Sequence, residues 1–204
     1  MTSNSEQPNQ YAREAAKILR TIFTNANADT AQAIKTYQGS QLPSFGIMYP
    51  QLKELAKKFK QNNLVAEQLL NKNTREAIIM GILLCMPDEL TEVQLKTLIE
   101  IAKTEELKNI AARHIIAPAI NINKHKSLWT WLPQEFKIKG IIQSYRIYKC
   151  QPDFTPCIGL ITTIENSEIL MQDRKNLAEI LYRTFPNKRK LLIQSLQETG
   201  QKYQ

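Results

Sequence analysis

The sequence predicts an all-α fold, and three observations support this prediction. Apolar residues recur at the i, i+3, i+4, i+7 spacing of amphipathic helices along most of the chain. No stretch shows the alternating, β-branched pattern of a strand bounded by hairpin turns. Proline, glycine and asparagine separate helices of about 10 to 16 residues. We therefore expect about 11 or 12 helices in antiparallel pairs repeating at roughly 40 residues, which is typical of a curved HEAT-like helical-repeat solenoid.

The first helix follows a polar tail, residues 1–9, which we expect to be disordered. The apolar stripe of this helix consists of Tyr11, Ala15, Ile18, Leu19 and Ile22. The run Thr-Asn-Ala-Asn at 24–27 ends it, and a second helix is predicted over 29–37. We expect residues 10–204 to form a single HEAT-like domain.

The stretch 37–59 is the most heavily punctuated part of the chain. Gly39, Pro43 and Gly46 disfavour a helix there, because glycine costs backbone entropy and proline lacks an N–H donor. Pro50 suits the first turn of a new helix. Lysines lie off the apolar stripe of this helix, which consists of Leu52, Leu55, Ala56 and Phe59.

The middle of the chain contains three further predicted helices. A short one over 64–70 precedes a nearly all-apolar one over 74–84, which is expected to be buried on most sides. Pro87 lies in the break that follows. Thr91 and Gln94 then have the spacing of a capping box, so they predict the start of the third helix.

The rest of the chain continues this pattern. The next helix carries His114 and is expected to end at Pro118, and Trp129 and Trp131 lie in a short element after it. Asp153 and Asn187 are expected at two later helix starts. Apolar residues at helical spacing mark the remaining helices at 138–145, 158–164, 170–185 and 191–196.

Composition and the N-terminal residues exclude several classes of protein. The apolar runs fall well short of the ~18 residues needed to span a bilayer. The first ten residues lack the basic region and apolar core of a secretory signal, so we predict a cytoplasmic location. The three cysteines have no paired spacing, which favours buried free thiols over a disulfide framework or a zinc site. We expect no metal and no cofactor.

Charge is segregated along the chain, which carries 27 basic and 19 acidic residues for a net charge of +8. Residues 86–107 hold six acids and two bases, a balance of −4. Residues 124–150 hold six bases and one acid, and residues 174–204 hold seven bases and two acids, so each has a balance of +5. Such segregation favours a polyanionic partner, and a basic solvated surface is the plainer alternative.

Three motifs together carry a resemblance to a known family. They are Leu-Pro-Ser-Phe-Gly-Ile at 42–47, Pro-Gln-Leu-Lys-Glu-Leu-Ala at 50–56, and Asn-Thr-Arg-Glu at 73–76 before an apolar helix. The chain resembles the bacterial DNA alkylation repair proteins. The resemblance covers most of the chain in helix order. It implies a HEAT-like fold and, in active members, alkylpurine DNA glycosylase activity.

The sequence departs from this family where the resemblance places the chemistry. Active members carry a helix with Trp and Asp, whose carboxylate faces the damaged nucleotide, and a later arginine at a helix start. The matching helix here, over 106–116, has neither Trp nor Asp, and 136–140 offers only lysines. A carboxylate would stabilise positive charge on the sugar during cleavage. No catalytic residue can therefore be assigned, and the enzymatic activity stays open.

Candidate DNA contacts come from the two basic segments and one tryptophan. Lys139, Gln143 and Arg146 share the helical face opposite an apolar stripe, and a basic group follows later in the chain. Trp131 could stack on a base or sugar, or could instead join two repeats. The full candidate set is Lys139, Gln143, Arg146, Arg183, Lys188, Arg189 and Trp131.

Two other residues have plainer interpretations. Glu135 lies four residues after Trp131 and imitates a tryptophan–acid pair, but Pro133 interrupts it, so we interpret Glu135 as a helix N-terminal acid or a loop salt-bridge partner. We interpret His114 as a hydrogen-bonded core or lateral histidine rather than a catalytic base.

The sequence thus favours a monomeric protein that binds duplex DNA on a basic concave face through phosphates, with little base readout. Two alternatives remain open. One is an active glycosylase that hydrolyses the N-glycosidic bond of N3- or N7-alkylated purines. The other is a HEAT-like scaffold that binds an acidic protein.

Overall fold

The computed structural model describes residues 7–38, 42–121, 128–162 and 168–198, and these contain helices and turns but no β-strand. The all-α prediction is confirmed. The chain divides into two compact units, an N-terminal unit (Met1–Ile115) and a C-terminal unit (Ile116–Gln204). Of the tail predicted over 1–9, residues 1–6 lie outside the described residues, and the first helix begins at Gln7.

The N-terminal unit contains seven α-helices in its described residues. A π-helical segment, Ala112–Ile116, follows the seventh without a break. The helices are α1 (Gln7–Thr24), α2 (Ala28–Gln38), α3 (Tyr49–Ala56), α4 (Asn63–Leu70), α5 (Arg75–Leu84), α6 (Glu92–Ile101) and α7 (Glu105–Ala111).

The fifth helix is the centre of this unit. All ten residues of α5 are buried, as its apolar sequence predicts. It packs against α1, α3, α4 and α7. Each buried Ile or Leu of this helix contributes about 1.5–3 kcal/mol relative to an exposed position. The charged residues Arg75 and Glu76 are buried at its first turn, where apolar residues would be expected.

Local signals in the sequence set the starts of several helices. Thr91 and Gln94 form the predicted capping box: the Gln94 N–H donates to Thr91 Oγ1 at 3.2 Å, and Gln94 Oε1 accepts from the Thr91 N–H at 3.1 Å. Pro50 lies in the first turn of α3, as predicted. Local residue chemistry therefore explains where these helices begin.

The prediction that Pro118 ends a helix is wrong. A further helix, α8 (Ala117–Asn121), contains this proline and directly follows the π-helical segment. The wider π turn comes just before a residue that cannot donate a backbone hydrogen bond. The chain therefore continues as helix past the proline.

The first helix of the C-terminal unit is α8, and the unit contains a 3₁₀ turn, Pro186–Lys188, before its last helix. Asn187 therefore lies in this turn, and the last helix starts later than predicted. The tenth helix packs against α8 and the two helices that follow it. After α8 come α9 (Leu128–Trp131), α10 (Gln134–Tyr148), α11 (Phe154–Thr162), α12 (Glu168–Thr184) and α13 (Arg189–Glu198).

The loop before α3 is in contact with the junction of α1 and α2. The Asn27 N–H donates to the Phe45 carbonyl at 2.8 Å, and the Phe23 and Phe45 rings lie 4.7 Å apart. Gly46 has φ +76°, and a Cβ there would lie 2.0 Å from the Asn27 oxygen and 2.6 Å from the Ala31 nitrogen. Only glycine fits at this position.

Replacing Gly46 by alanine should destabilise the protein by at least about 2 kcal/mol, because the new methyl group meets backbone atoms and the residue adopts a left-handed conformation. Urea unfolding measures this loss. The control is Gly159→Ala on α11, where no atom beyond the adjoining backbone of the helix lies within 4 Å of the added carbon, and helix propensity predicts a gain. Equal stability of the wild-type protein and Gly46→Ala would contradict the account of this loop.

Candidate nucleic-acid interface

The loop 42–48 is held by one buried carboxylate, that of Glu76 at the start of α5. Ser44 Oγ donates to it at 2.7 Å, the Phe45 N–H at 2.9 Å and the Ile47 N–H at 3.3 Å. The Arg75 N–H in turn donates to the Pro43 carbonyl at 2.9 Å. The motifs at 42–47 and 73–76 are therefore one structural feature.

Arg75 neutralises the charge of this carboxylate and of a second one. Its guanidinium is 3% exposed and donates to the Ile47 carbonyl at 2.8 Å and to Glu76 Oε1 at 2.9 Å. It also donates to both oxygens of Glu106 on α7, at 2.7 and 2.5 Å. Burial alone would lower the pKa of Arg75, but Glu106 and Glu76 outweigh it and raise that pKa above its ordinary value.

The helix and π segment over 105–116 thus carry few carboxylates that could interact with a substrate. Glu105 and Glu106 are the only carboxylates in this stretch of the sequence. Glu106 is bound by Arg75, and Glu105 is exposed and accepts from Asn109 Nδ2 at 3.3 Å in the first turns of α7. No half-buried carboxylate on this stretch is available to face a substrate.

His114 lies in the π segment and is half-buried. Its Nε2 lies 2.7 Å from the hydroxyl of Tyr49, the first residue of α3. Burial, together with the positive charges of Arg113 and Lys53, lowers the pKa of His114 to about 4. Burial also raises the pKa of Tyr49. Both side chains are therefore neutral at pH 7 and joined by a hydrogen bond.

Lys139 differs from the sequence expectation. It is 3% exposed, and its Nζ donates to Asp173 Oδ2 at 2.6 Å. Helical spacing placed Lys139 opposite an apolar stripe, but that side of α10 meets Asp173 of α12 instead of solvent. Its ammonium belongs to an internal ion pair, so we correct the interpretation of Lys139 as a phosphate contact.

Two arginines at the α12–α13 junction have partners of different kinds. Arg183 is exposed and pairs with Glu179 one turn earlier on α12. Arg189 stacks on Tyr182, with its guanidinium carbon 4.4 Å from the ring centroid, and its Nε–H donates to the Tyr182 carbonyl at 2.9 Å. Arg183 is therefore largely neutralised, whereas Arg189 is fixed by an aromatic ring.

Lys188 is held by two aromatic rings. Its Nζ lies 4.7 Å from the Phe154 centroid and 5.7 Å from the Phe185 centroid, and these two rings pack edge to face at 5.2 Å. Lys188 lines a cleft of about 410 Å³, which Asp153 also lines. Cation–π contact orients this ammonium without cancelling its charge.

The remaining candidates lie on α9 and α10. Arg146 is exposed near the end of α10, and Gln143 is half-buried one turn before it. Trp131 is half-buried at the end of α9. Glu135 lies in the first turn of α10, the helix N-terminal position that we expected. Of the cationic candidates, Arg183, Lys188 and Arg189 are brought together at one junction, and Arg146 lies on a different helix.

Comparison with known proteins identifies the family. A sequence model of the family described as DNA alkylation repair enzyme matches residues 18–136, which is more than half of the chain. This chain belongs to the DNA alkylation repair enzyme family. The predicted resemblance is thereby confirmed.

A solved structure that resembles this DNA alkylation repair family member is described as "a new family of proteins related to the HEAT-like repeat DNA glycosylases with affinity for branched DNA structures". The TM-score is 0.67 over 90% of this chain and 82% of the other, at 14% sequence identity. This similarity confirms the HEAT-like fold. A comparison with curated proteins finds no match.

Three further observations concern metal binding, membrane spans and thiols in the described part of this family member. No group of three or more His, Cys, Asp or Glu side chains is placed to hold a metal ion there. Among the same residues, no helix has the length and apolar character needed to cross a membrane. Burial raises the pKa of the Cys85 and Cys157 thiols to about 12, so both remain protonated at pH 7.

Sequence reasoning missed two features of this family member. It interpreted Arg75 and Glu76 only as the start of an apolar helix, and it did not connect Tyr49 with His114. The first has a signal, since two adjacent opposite charges before a fully apolar run need buried partners. The second has none, because the two residues lie 65 positions apart.

Replacing Arg75 by methionine should cost about 3–5 kcal/mol of stability, because Glu76 and Glu106 would then remain buried without a counter-charge. Urea unfolding measures the loss, and adding Glu106→Gln to the same chain should recover part of it. The control is Arg183→Met, an exposed pair that should cost no more than about 0.5 kcal/mol. Similar losses for Arg75→Met and Arg183→Met would contradict this account.

Proposed function

We propose that this protein binds DNA through phosphate contacts made by cations of the C-terminal unit. The proposal rests on the ion pairing and aromatic contacts of three cationic residues, Arg146, Lys188 and Arg189. None of them forms an ion pair with a carboxylate among the residues that the structure describes. Two of them are oriented by aromatic rings. Oriented cations of undiminished charge are suited to phosphate oxygens.

The proposed ligand is double-stranded DNA, read through its backbone. The two basic segments, each with a balance of +5, support a polyanion as partner. The structurally similar protein is described as having affinity for branched DNA structures, so the proposal includes branched as well as linear duplexes. We retain Gln143, Arg183 and Trp131 as secondary contacts and leave out Lys139. In this proposal the protein acts as a monomer without a cofactor.

The second candidate function is alkylpurine DNA glycosylase activity, which membership of the DNA alkylation repair enzyme family favours. The reaction needs electrostatic stabilisation of a positively charged sugar. Glu106 is occupied by Arg75, and Glu105 lies exposed in the first turn of α7. The helix that carries the acid in active members therefore lacks a suitable group here, and we place binding ahead of catalysis.

The third candidate is a scaffold for an acidic protein, which the basic surface would also fit. Competition distinguishes it from DNA binding. An acidic protein should compete poorly with DNA if the site binds phosphates, because a duplex carries one negative charge per about 1.7 Å of helix axis, a density that a folded acidic surface does not match.

Affinity for fluorescent linear and four-way-junction DNA should fall steeply between about 50 and 200 mM salt, because bound phosphates release counterions. Arg146→Gln and Lys188→Gln should each weaken binding on every sequence and reduce the salt slope by about one. Anisotropy titrations at several salt concentrations measure both quantities.

The matched control for these two variants is Lys96→Gln. It removes one exposed positive charge, but from a lysine paired with Glu92 in the acidic segment. Its salt slope should equal that of the wild-type protein. A wild-type affinity that does not depend on salt, or equal effects in all three variants, would contradict the proposed phosphate contacts.

A further inference from the structure

A second polar site lies in the N-terminal unit, at the contact between α3 and the π segment. The Tyr49 hydroxyl and His114 Nε2 are 2.7 Å apart, and the two ring centroids are 6.3 Å apart. Both side chains are half-buried. Single π turns within helices occur often at functional sites. The loop that positions Tyr49 is fixed two residues earlier, where Arg75 donates to the Ile47 carbonyl.

This pair always has one hydrogen-bond donor left over. If the hydroxyl donates to Nε2, the proton of the imidazole is on Nδ1. If Nε2–H donates to the hydroxyl oxygen, the hydroxyl proton is left. Neither Tyr49 nor His114 makes a second side-chain hydrogen bond among the described residues. Either tautomer therefore presents one neutral donor that an acceptor could fill.

Two cations lie beside the pair. Arg113 precedes His114 in the π segment, and Lys53 follows Tyr49 by one turn of α3. Both are exposed, and after burial their positive charges are the further causes of the lowered pKa of His114. Neither forms an ion pair within the described part of the chain. Each therefore retains a positive charge that no direct ion pair within the described part of the chain neutralises.

The carboxylates near these cations are already used. Glu54, adjacent to Lys53 on α3, is paired with Lys57 at 2.7 Å. Glu106 on α7 is bound by Arg75 on both of its oxygens. The local surface therefore combines two positive charges with a neutral donor, and neither cation is ion-paired with a carboxylate among the residues that the structure describes.

We infer that Lys53, Arg113 and the Tyr49–His114 pair form a binding site for a phosphate group of the DNA backbone. A phosphate oxygen accepts from arginine, lysine and a neutral donor at once, which matches the groups present. The inference rests on the proposed function for its ligand, but it names different residues in a different unit. It assigns these four residues to positioning DNA and gives them no part in bond cleavage.

The test is DNA binding by the whole chain at several salt concentrations. Lys53→Gln and Arg113→Gln should each weaken binding several-fold and reduce the salt slope by about one. Tyr49→Phe removes the hydroxyl without removing a charge, so it should weaken binding with the slope unchanged. Thermal unfolding of each variant verifies that the fold is retained.

Lys57→Gln is the matched control, because Lys57 is exposed on the same helix but already paired with Glu54. It should leave both affinity and slope unchanged. If the wild-type protein binds DNA while Lys53→Gln and Arg113→Gln behave like Lys57→Gln, this inference is overturned and the proposed function stands.

A second readout does not require DNA. Inorganic phosphate should shift the NMR signals of the His114 imidazole in the wild-type protein and not in Arg113→Gln. If DNA does not bind but this shift occurs, the proposed function fails and the anion site stands without its DNA ligand. No shift, or a shift produced by an aspartate-rich peptide and not by phosphate, would overturn the phosphate site.

Discussion

The N-terminal unit depends on the ion pairs and hydrogen bonds of the buried Arg75 guanidinium. It is 3% exposed and neutralises Glu76 and Glu106, which belong to α5 and α7. Burying an ion costs several kcal/mol unless its charge and hydrogen bonds are satisfied. Here Arg75 also donates to the Ile47 carbonyl of the loop, and Glu76 accepts a hydrogen bond from the Phe45 N–H of the same loop. One charge cluster therefore fixes a loop and two helices together.

This cluster also determines what the candidate sites can do. It fixes the loop that leads into α3, so it sets the position from which Tyr49 reaches His114. It also pairs with Glu106, the half-buried carboxylate on the helix that the resemblance matches to the acid-bearing helix of active members. The same interaction thus supports the proposed phosphate site and pairs a carboxylate that could otherwise act in catalysis. Under the proposed function, pairing of Glu106 with Arg75 therefore favours binding over catalysis in this chain.

Much of the fold follows from local sequence. The nearly all-apolar helix α5 is buried on all sides, and the Thr91 capping box forms as its spacing predicts, because both depend on residues close together in the chain. Pro118 shows the limit of such rules, since a π turn just before it allows the helix to continue. A rule about one residue does not include the adjustment of its neighbours.

The candidate sites were less predictable, because they depend on long-range partners. Helical spacing gives the face on which Lys139 lies, but not that Asp173, 34 positions later, meets it there. The charge balance of the C-terminal segments is visible in sequence, whereas the rings that orient Lys188 and Arg189 are brought there by the α11–α12–α13 packing. Sequence therefore gives the charge of these segments but not the partners of their individual side chains.

The central claim is that this family member binds DNA, and that Glu106, the carboxylate on the helix matched to the acid-bearing helix of active members, stabilises the fold instead of acting in catalysis. Release of 3-methyladenine and 7-methylguanine from alkylated duplex, measured at protein concentrations that bind the DNA, tests it most directly. The account predicts base release no faster than from the same DNA without protein. Release that accelerates with protein concentration would contradict it, because a catalytic group outside the Arg75 cluster would then be required.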